Sequence, residues 1–188
     1  MKGGAGPRRH ELQGGSVEAQ PLPSKRKRQV AVVGSGRVEL DSELASLAEE
    51  VGARLAQAGV TVVCGGLGGV MEAVARGAAE VGGEVVGIVP GDSTEEANPF
   101  CTRVVATGIG HARNLAVVSS GDAVIAVGGE WGTLSEIGFA RALGRPVVAL
   151  RSWTLKGEGP MESAPGIVPA SSAKEAVAAA LDAIGGAP

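Results

Sequence analysis

Tyrosine is absent from this chain, and two tryptophans and two phenylalanines supply its entire aromatic content of 2%. Binding single-stranded nucleic acid by stacking its bases needs a platform of such rings, so that mode is excluded. A net charge of −3 also leaves no broad basic field for a phosphate backbone, and nucleic acid is not an expected partner. The two cysteines, Cys64 and Cys101, lack the paired spacing of a metal or redox site, which predicts small, buried, reduced thiols and no metal. No segment reaches the roughly 18 apolar residues of a membrane span, and residues 1–28 hold no apolar run of signal-peptide length. A soluble, cytoplasmic protein without membrane contact is the expectation.

Glycine is what the chain has in excess, 31 of 188 residues. The length suits one domain with a core on both faces of a sheet, built from Val, Ala, Leu and Ile because aromatics are so few. Residues 1–28 are rich in Gly, Pro, Gln and charge and end in Lys25-Arg26-Lys27-Arg28, which predicts a disordered leader. The basic tetrad reads as a solvated charge run, with an anion-binding or interaction tail as the alternative. Residues 29–188 form the predicted domain.

From Gln29 onward, short apolar runs alternate with helical stretches. The runs are Val30–Val33, Val60–Val63, Glu84–Val89, Val104–Ala106, Ala123–Val127 and Pro146–Leu150. Nearly continuous apolar runs of this length suit parallel strands covered on both faces. Leu40, Leu44, Leu47, Val51 and Leu55 recur at helical spacing, as do Val70, Val74 and Val81. A final helix is predicted from about Ser172 to Ile184, after a connection containing Pro and Gly. The pattern predicts an α/β fold, a Rossmann-like doubly wound parallel sheet in a single domain, with strand order 3-2-1-4-5-6.

Three glycine loops fall at predicted strand carboxyl ends, where open α/β sheets bind ligands. They are Gly34-Ser35-Gly36, Cys64-Gly65-Gly66-Leu67-Gly68-Gly69, and Gly128-Gly129-Glu130-Trp131-Gly132-Thr133. Tight strand-to-helix turning explains any one of them; three on adjoining edges point to a ligand approached closely by backbone. The unpaired N–H groups of the following helices make phosphate the natural guest. A dinucleotide fingerprint is not met, because Glu39 stands where the third glycine belongs and the second strand ends in Gly65-Gly66 rather than an acid for a ribose.

Two charged residues lie among the loops. Thr133-Leu134-Ser135-Glu136 has capping-box spacing, so Glu136 reads either as a cap or as a site carboxylate. His111-Ala112-Arg113-Asn114 begins a predicted helix, where a cation faces the positive end of the dipole. A nearby anion would relieve that conflict; a long stem reaching into solvent is the alternative. His111 is read as a local hydrogen-bonding residue.

The segment Cys64-Gly65-Gly66-Leu67-Gly68-Gly69-Val70-Met71 resembles the G-G-G-x-x-G-L-M loop of the LONELY GUY type phosphoribohydrolases, formerly called lysine decarboxylases. Gly128 to Glu136 resembles their P-G-G-x-G-T-x-x-E motif, with Gly128 for Pro and Glu130 for the second Gly. His111 to Asn114 is similar to their arginine segment, with Asn114 where Lys is usual. The resemblance spans residues 29–150, and its details look closer to a bacterial subgroup that includes molybdenum cofactor carrier proteins.

Hydrolysis of the N-glycosidic bond of a nucleoside 5′-monophosphate is the activity that the resemblance implies, with Arg113 and Glu136 as the catalytic pair. Gly34, Ser35, Gly36, Gly65, Gly66, Gly68, Gly69, Met71, Gly128, Gly129, Gly132 and Thr133 then bind the ligand and its phosphate. The alternative is a carrier that binds a phosphorylated pterin, the molybdenum cofactor, without cleaving it. The sequence leaves open whether the chain is an enzyme. Neither reading calls for a catalytic cofactor, and the resemblance implies a homodimer.

Overall fold

The apolar runs form the centre of a seven-stranded sheet, seen in a computed structural model that describes residues 26–153 and 166–185. Residues 1–25, most of the predicted leader, lie outside the described residues. In chain order the strands are β1 (Gln29–Gly34), β2 (Thr61–Cys64), β3 (Val85–Val89), β4 (Arg103–Ala106), β5 (Ala123–Val127), β6 (Val147–Leu150) and β7 (Ile167–Ala170). The helices are α1 (Glu43–Gln57), α2 (Val70–Glu80), α3 (Arg113–Ser120), α4 (Trp131–Ala142) and α5 (Ala173–Gly185). Every strand pair is parallel.

Period-two alternation along the strands divides the core into two layers. Val30 and Val32 of β1 face α1, α2 and α5, while Ala31 and Val33 face α3 and α4. Because this core lacks bulky rings, backbones come close. A Cβ placed on Gly77 of α2 would stand 2.0 Å from the Glu49 carbonyl oxygen of α1, so the two helices meet at a distance that only glycine permits.

The strand order is β4-β3-β2-β1-β5-β6-β7, which corrects the predicted 3-2-1-4-5-6. The fourth strand extends the sheet beyond β3, and β5 takes the place beside β1. Composition explains the exchange: β5 is AVIAV and fully buried, whereas β4 is RVVA, with Arg103 and Val105 exposed, and suits an edge. The opposite edge strand, β7, lies within the segment that the sequence pattern assigns to a connection. Its Pro169 lacks a donor for the ladder and is tolerated because, among the described residues, β7 pairs only with β6.

Ser42 caps α1, its Oγ accepting from the Ala45 N–H at 3.2 Å, so the helix starts after Leu40, which lies in the preceding turn. Val81, predicted within α2, is its C-cap and is exposed. Arg26 pairs with Asp122, Lys27 with Glu84, and the Arg28 carbonyl accepts from Thr61, so these last residues of the predicted leader run along the sheet's amino edge. Among the described residues no helix is long and apolar enough to cross a membrane.

Candidate functional site

Adjacent β2, β1 and β5 end in the three glycine loops, so the sheet order brings together segments that are about 30 to 90 residues apart. Between them lies a cleft of about 200 Å³. Of the predicted residues, Gly34, Ser35, Gly36, Gly65, Met71, Arg113, Gly132, Thr133 and Glu136 line it. Gly66, Gly68, Gly69, Gly128 and Gly129 are not among its lining residues.

Those five build the loops. Gly69 has φ +65°, and a Cβ there would stand 2.4 Å from the Ser35 carbonyl oxygen, which accepts the Val70 N–H at 3.0 Å; this contact welds the first two loops together. Gly66 and Gly128 abut Val89 and Leu44, Gly129 abuts Thr133, and Gly68 lies near Gly36 and Glu72.

Asn98 was missed in the sequence, although it clamps the second loop. Its Nδ2 donates to the carbonyls of Gly66 (3.1 Å) and Leu67 (2.9 Å), and its N–H donates to Gly66 O at 2.7 Å. Leu67, Asn114 and Glu130 also line the cleft, with His111 on its exposed rim. Asn98 carries no sequence signal, because it acts from a loop across β3.

Arg113 opens α3 as predicted, with no side-chain cap before it. It is 8% exposed, which overturns the solvated alternative. Among the described residues Nε has no partner, and Nη2 makes one weak contact, to the Met71 sulfur at 3.9 Å. Burial lowers its pKa, opposed by Glu136 and then Cys64. A guanidinium has five donors, so this one is left short of acceptors at the cleft wall.

The capping reading of Glu136 is corrected. Helix α4 starts at Trp131 with Glu130 as N-cap, which places Thr133 and Glu136 inside the helix. Glu136 is 5% exposed, and its Oε1 stands 3.8 Å from Arg113 Nη1. Burial pushes its pKa up to about 7, against the pull of Arg113.

At the mouth, Glu130 Oε1 accepts from Ser35 Oγ at 3.1 Å. Trp131 is exposed and packs on Trp153 at 5.6 Å between ring centroids, and it does not line the cleft. Cys64 is buried as predicted, whereas Cys101 is only half-buried because it lies on the loop before edge strand β4; both are free. Among the described residues no group of three His, Cys, Asp or Glu could hold a metal.

Residues 27–180 match the SLOG cluster4 family. An uncharacterized protein of Archaeoglobus fulgidus is 46% identical over 123 residues, covering 65% of this chain and 80% of that one. The molybdenum cofactor binding protein of Rippkaea orientalis superimposes with a TM-score of 0.73 at 31% identity, over 82% of this chain and 96% of that one. The molybdenum cofactor carrier protein of Chlamydomonas reinhardtii gives a TM-score of 0.73 at 28% identity, over 85% and 99%.

Proposed function

The chain belongs to the SLOG cluster4 family, and we propose that it binds a phosphorylated pterin, the molybdenum cofactor, and carries it as cargo without hydrolysing it. The observation that carries this reading is Arg113, a buried guanidinium whose Nε has no partner among the described residues. A buried donor without an acceptor is costly, and a ligand that brings acceptors removes the cost. The likeness to the two molybdenum cofactor proteins, each over more than four fifths of this chain, supports the pterin among phosphorylated ligands.

In this reading the phosphate lies against Ser35, Gly36, Gly132 and Thr133, where the first turn of α4 offers unpaired N–H groups. Arg113 and Glu136 then face the ring edge. A pterin edge presents both donors and acceptors, which Arg113 meets as a donor and Glu136 as either, because its carboxyl titrates near 7. Met71 and Leu67 supply the apolar wall.

Carriage asks of Glu136 only a hydrogen-bonding group, whereas hydrolysis of a nucleoside 5′-monophosphate asks for an ionised carboxylate beside a cationic ribose. The likeness to the two molybdenum cofactor proteins favours carriage. We place the protein in the cytoplasm as a homodimer, joined through exposed apolar groups of the α3–α4 layer, among them Leu115, Phe139 and Leu143. Sedimentation velocity tests the dimer, and a strictly monomeric species at micromolar concentration rejects it. The functional test is to identify the small molecule that copurifies with the full chain. A phosphorylated pterin is expected; a nucleotide in its place overturns the reading.

A further inference from the structure

Glu130 is the N-cap residue of α4, yet its side chain makes no capping hydrogen bond. It turns across the mouth of the cleft, where Oε1 accepts a hydrogen bond from the hydroxyl of buried Ser35 at 3.1 Å and Oε2 lies 3.9 Å from Arg37 Nη1. The one donor of Ser35 Oγ is thereby committed. Its one proton goes to Glu130, and its oxygen accepts the Arg37 N–H at 3.1 Å. The remaining groups at this end are Gly36, Gly132 and Thr133, beside the helix N-terminus, a place that favours an anion. The chain's own carboxylate already lies there.

We propose that Glu130 is a specificity-determining residue, a resident anion that the phosphate of an incoming ligand must displace from Ser35. The proposal rests on the reading above only in placing the phosphate at Ser35 and the start of α4, and it does not depend on the pterin. Half of the Glu130 side chain is exposed, so it can leave Ser35 without a large rearrangement. While it remains near, its charge opposes that of the phosphate and loosens the hold on the ligand. For a carrier, a weakened hold at one end eases transfer of the cargo, because residence time follows the dissociation rate.

The test is calorimetric titration of the full-length wild type, Glu130→Gln and Glu130→Ala with inorganic phosphate and with ribose 5-phosphate, at low and high ionic strength. Glutamine keeps an acceptor for Ser35 and removes the charge; alanine frees the hydroxyl as well. Both variants are expected to bind phosphate tighter by roughly three- to tenfold, the range for a half-exposed charge, and the gap should narrow as salt screens it. Equal or weaker binding by both variants, or no binding by any of the three proteins, overturns the proposal and makes Glu130 a contact or a bystander. A protein that carries no pterin and still shows the gain in phosphate affinity would reject the carrier reading and leave Glu130 in this role.

Discussion

Arg113 Nη1 stands 3.8 Å from Glu136 Oε1 with both side chains less than a tenth exposed, a charged pair in contact but not hydrogen-bonded. The loss of solvent outweighs the attraction on both sides, lowering the pKa of Arg113 and raising that of Glu136 to about 7. The pair is poised for a third group to complete it.

The raised pKa of Glu136 gives a stability test with a definite sign. The folded protein holds this proton more tightly than the unfolded chain does, so the contribution is complete below about pH 4.5 and is lost as pH rises through about 7. A shift of that size corresponds to roughly 3 kcal/mol. Glu136→Gln does not titrate, so its melting temperature relative to wild type should climb between about pH 5 and 8. A difference that stays constant across this range contradicts the burial argument.

Glycines that line the cleft should separate from those that build it. Nothing lies within 4 Å of a Cβ on Gly132, so Gly132→Val should fold with near-native stability while losing phosphorylated ligands by at least about tenfold. Gly69→Val, forced to a positive φ and against the Ser35 carbonyl, should lose stability and ligand together. Thermal melts paired with ribose 5-phosphate titration read both. Equal ligand affinity for wild type and Gly132→Val places the site elsewhere.

The sequence shows which loops form the cleft because three glycine runs follow apolar strands, more than tight turning alone requires, and the alternation in β1 and β5 is plain in the residue pattern. It does not show which glycines face the cleft. Gly65 and Gly66 are neighbours of one type, yet Gly65 lines the cleft and Gly66 packs on Val89, a difference set by the path of the loop. Asn98 and the burial of Arg113 were hidden for a similar reason, since both depend on elements distant in the chain. The place of β4 differs from the expected order because strand order follows from the crossover after β3, which holds no α-helix.

Close contact between α1 and α2 should make Gly77 intolerant of even a methyl group. Gly77→Ala places a Cβ 2.0 Å from the Glu49 carbonyl and must push the helices apart, at a cost of about 3 kcal/mol despite alanine's better helix propensity. Denaturant unfolding measures it, and a variant as stable as wild type would show that the two helices are not held at this distance.

Carriage and hydrolysis differ in what they demand of Arg113 and Glu136, and one pair of variants separates them. A carrier uses Arg113 to satisfy ligand acceptors, so Arg113→Ala should strip copurifying pterin from the protein. Arg113→Lys should restore it only partly, because a point charge does not reproduce the planar fork. Glu136→Gln keeps a hydrogen-bonding group of the same shape, so it should retain pterin within a few-fold, and neither it nor wild type should release adenine from AMP over hours. A hydrolase makes the opposite demand: base is released by wild type, and turnover falls by orders of magnitude in Glu136→Gln while binding changes little. Chromatography for free base and fluorescence of oxidised pterin, run on the same preparations, read both outcomes. Adenine released by wild type and lost in Glu136→Gln would overturn carriage, because glutamine keeps the shape of the side chain and removes only the charge that a cationic ribose requires.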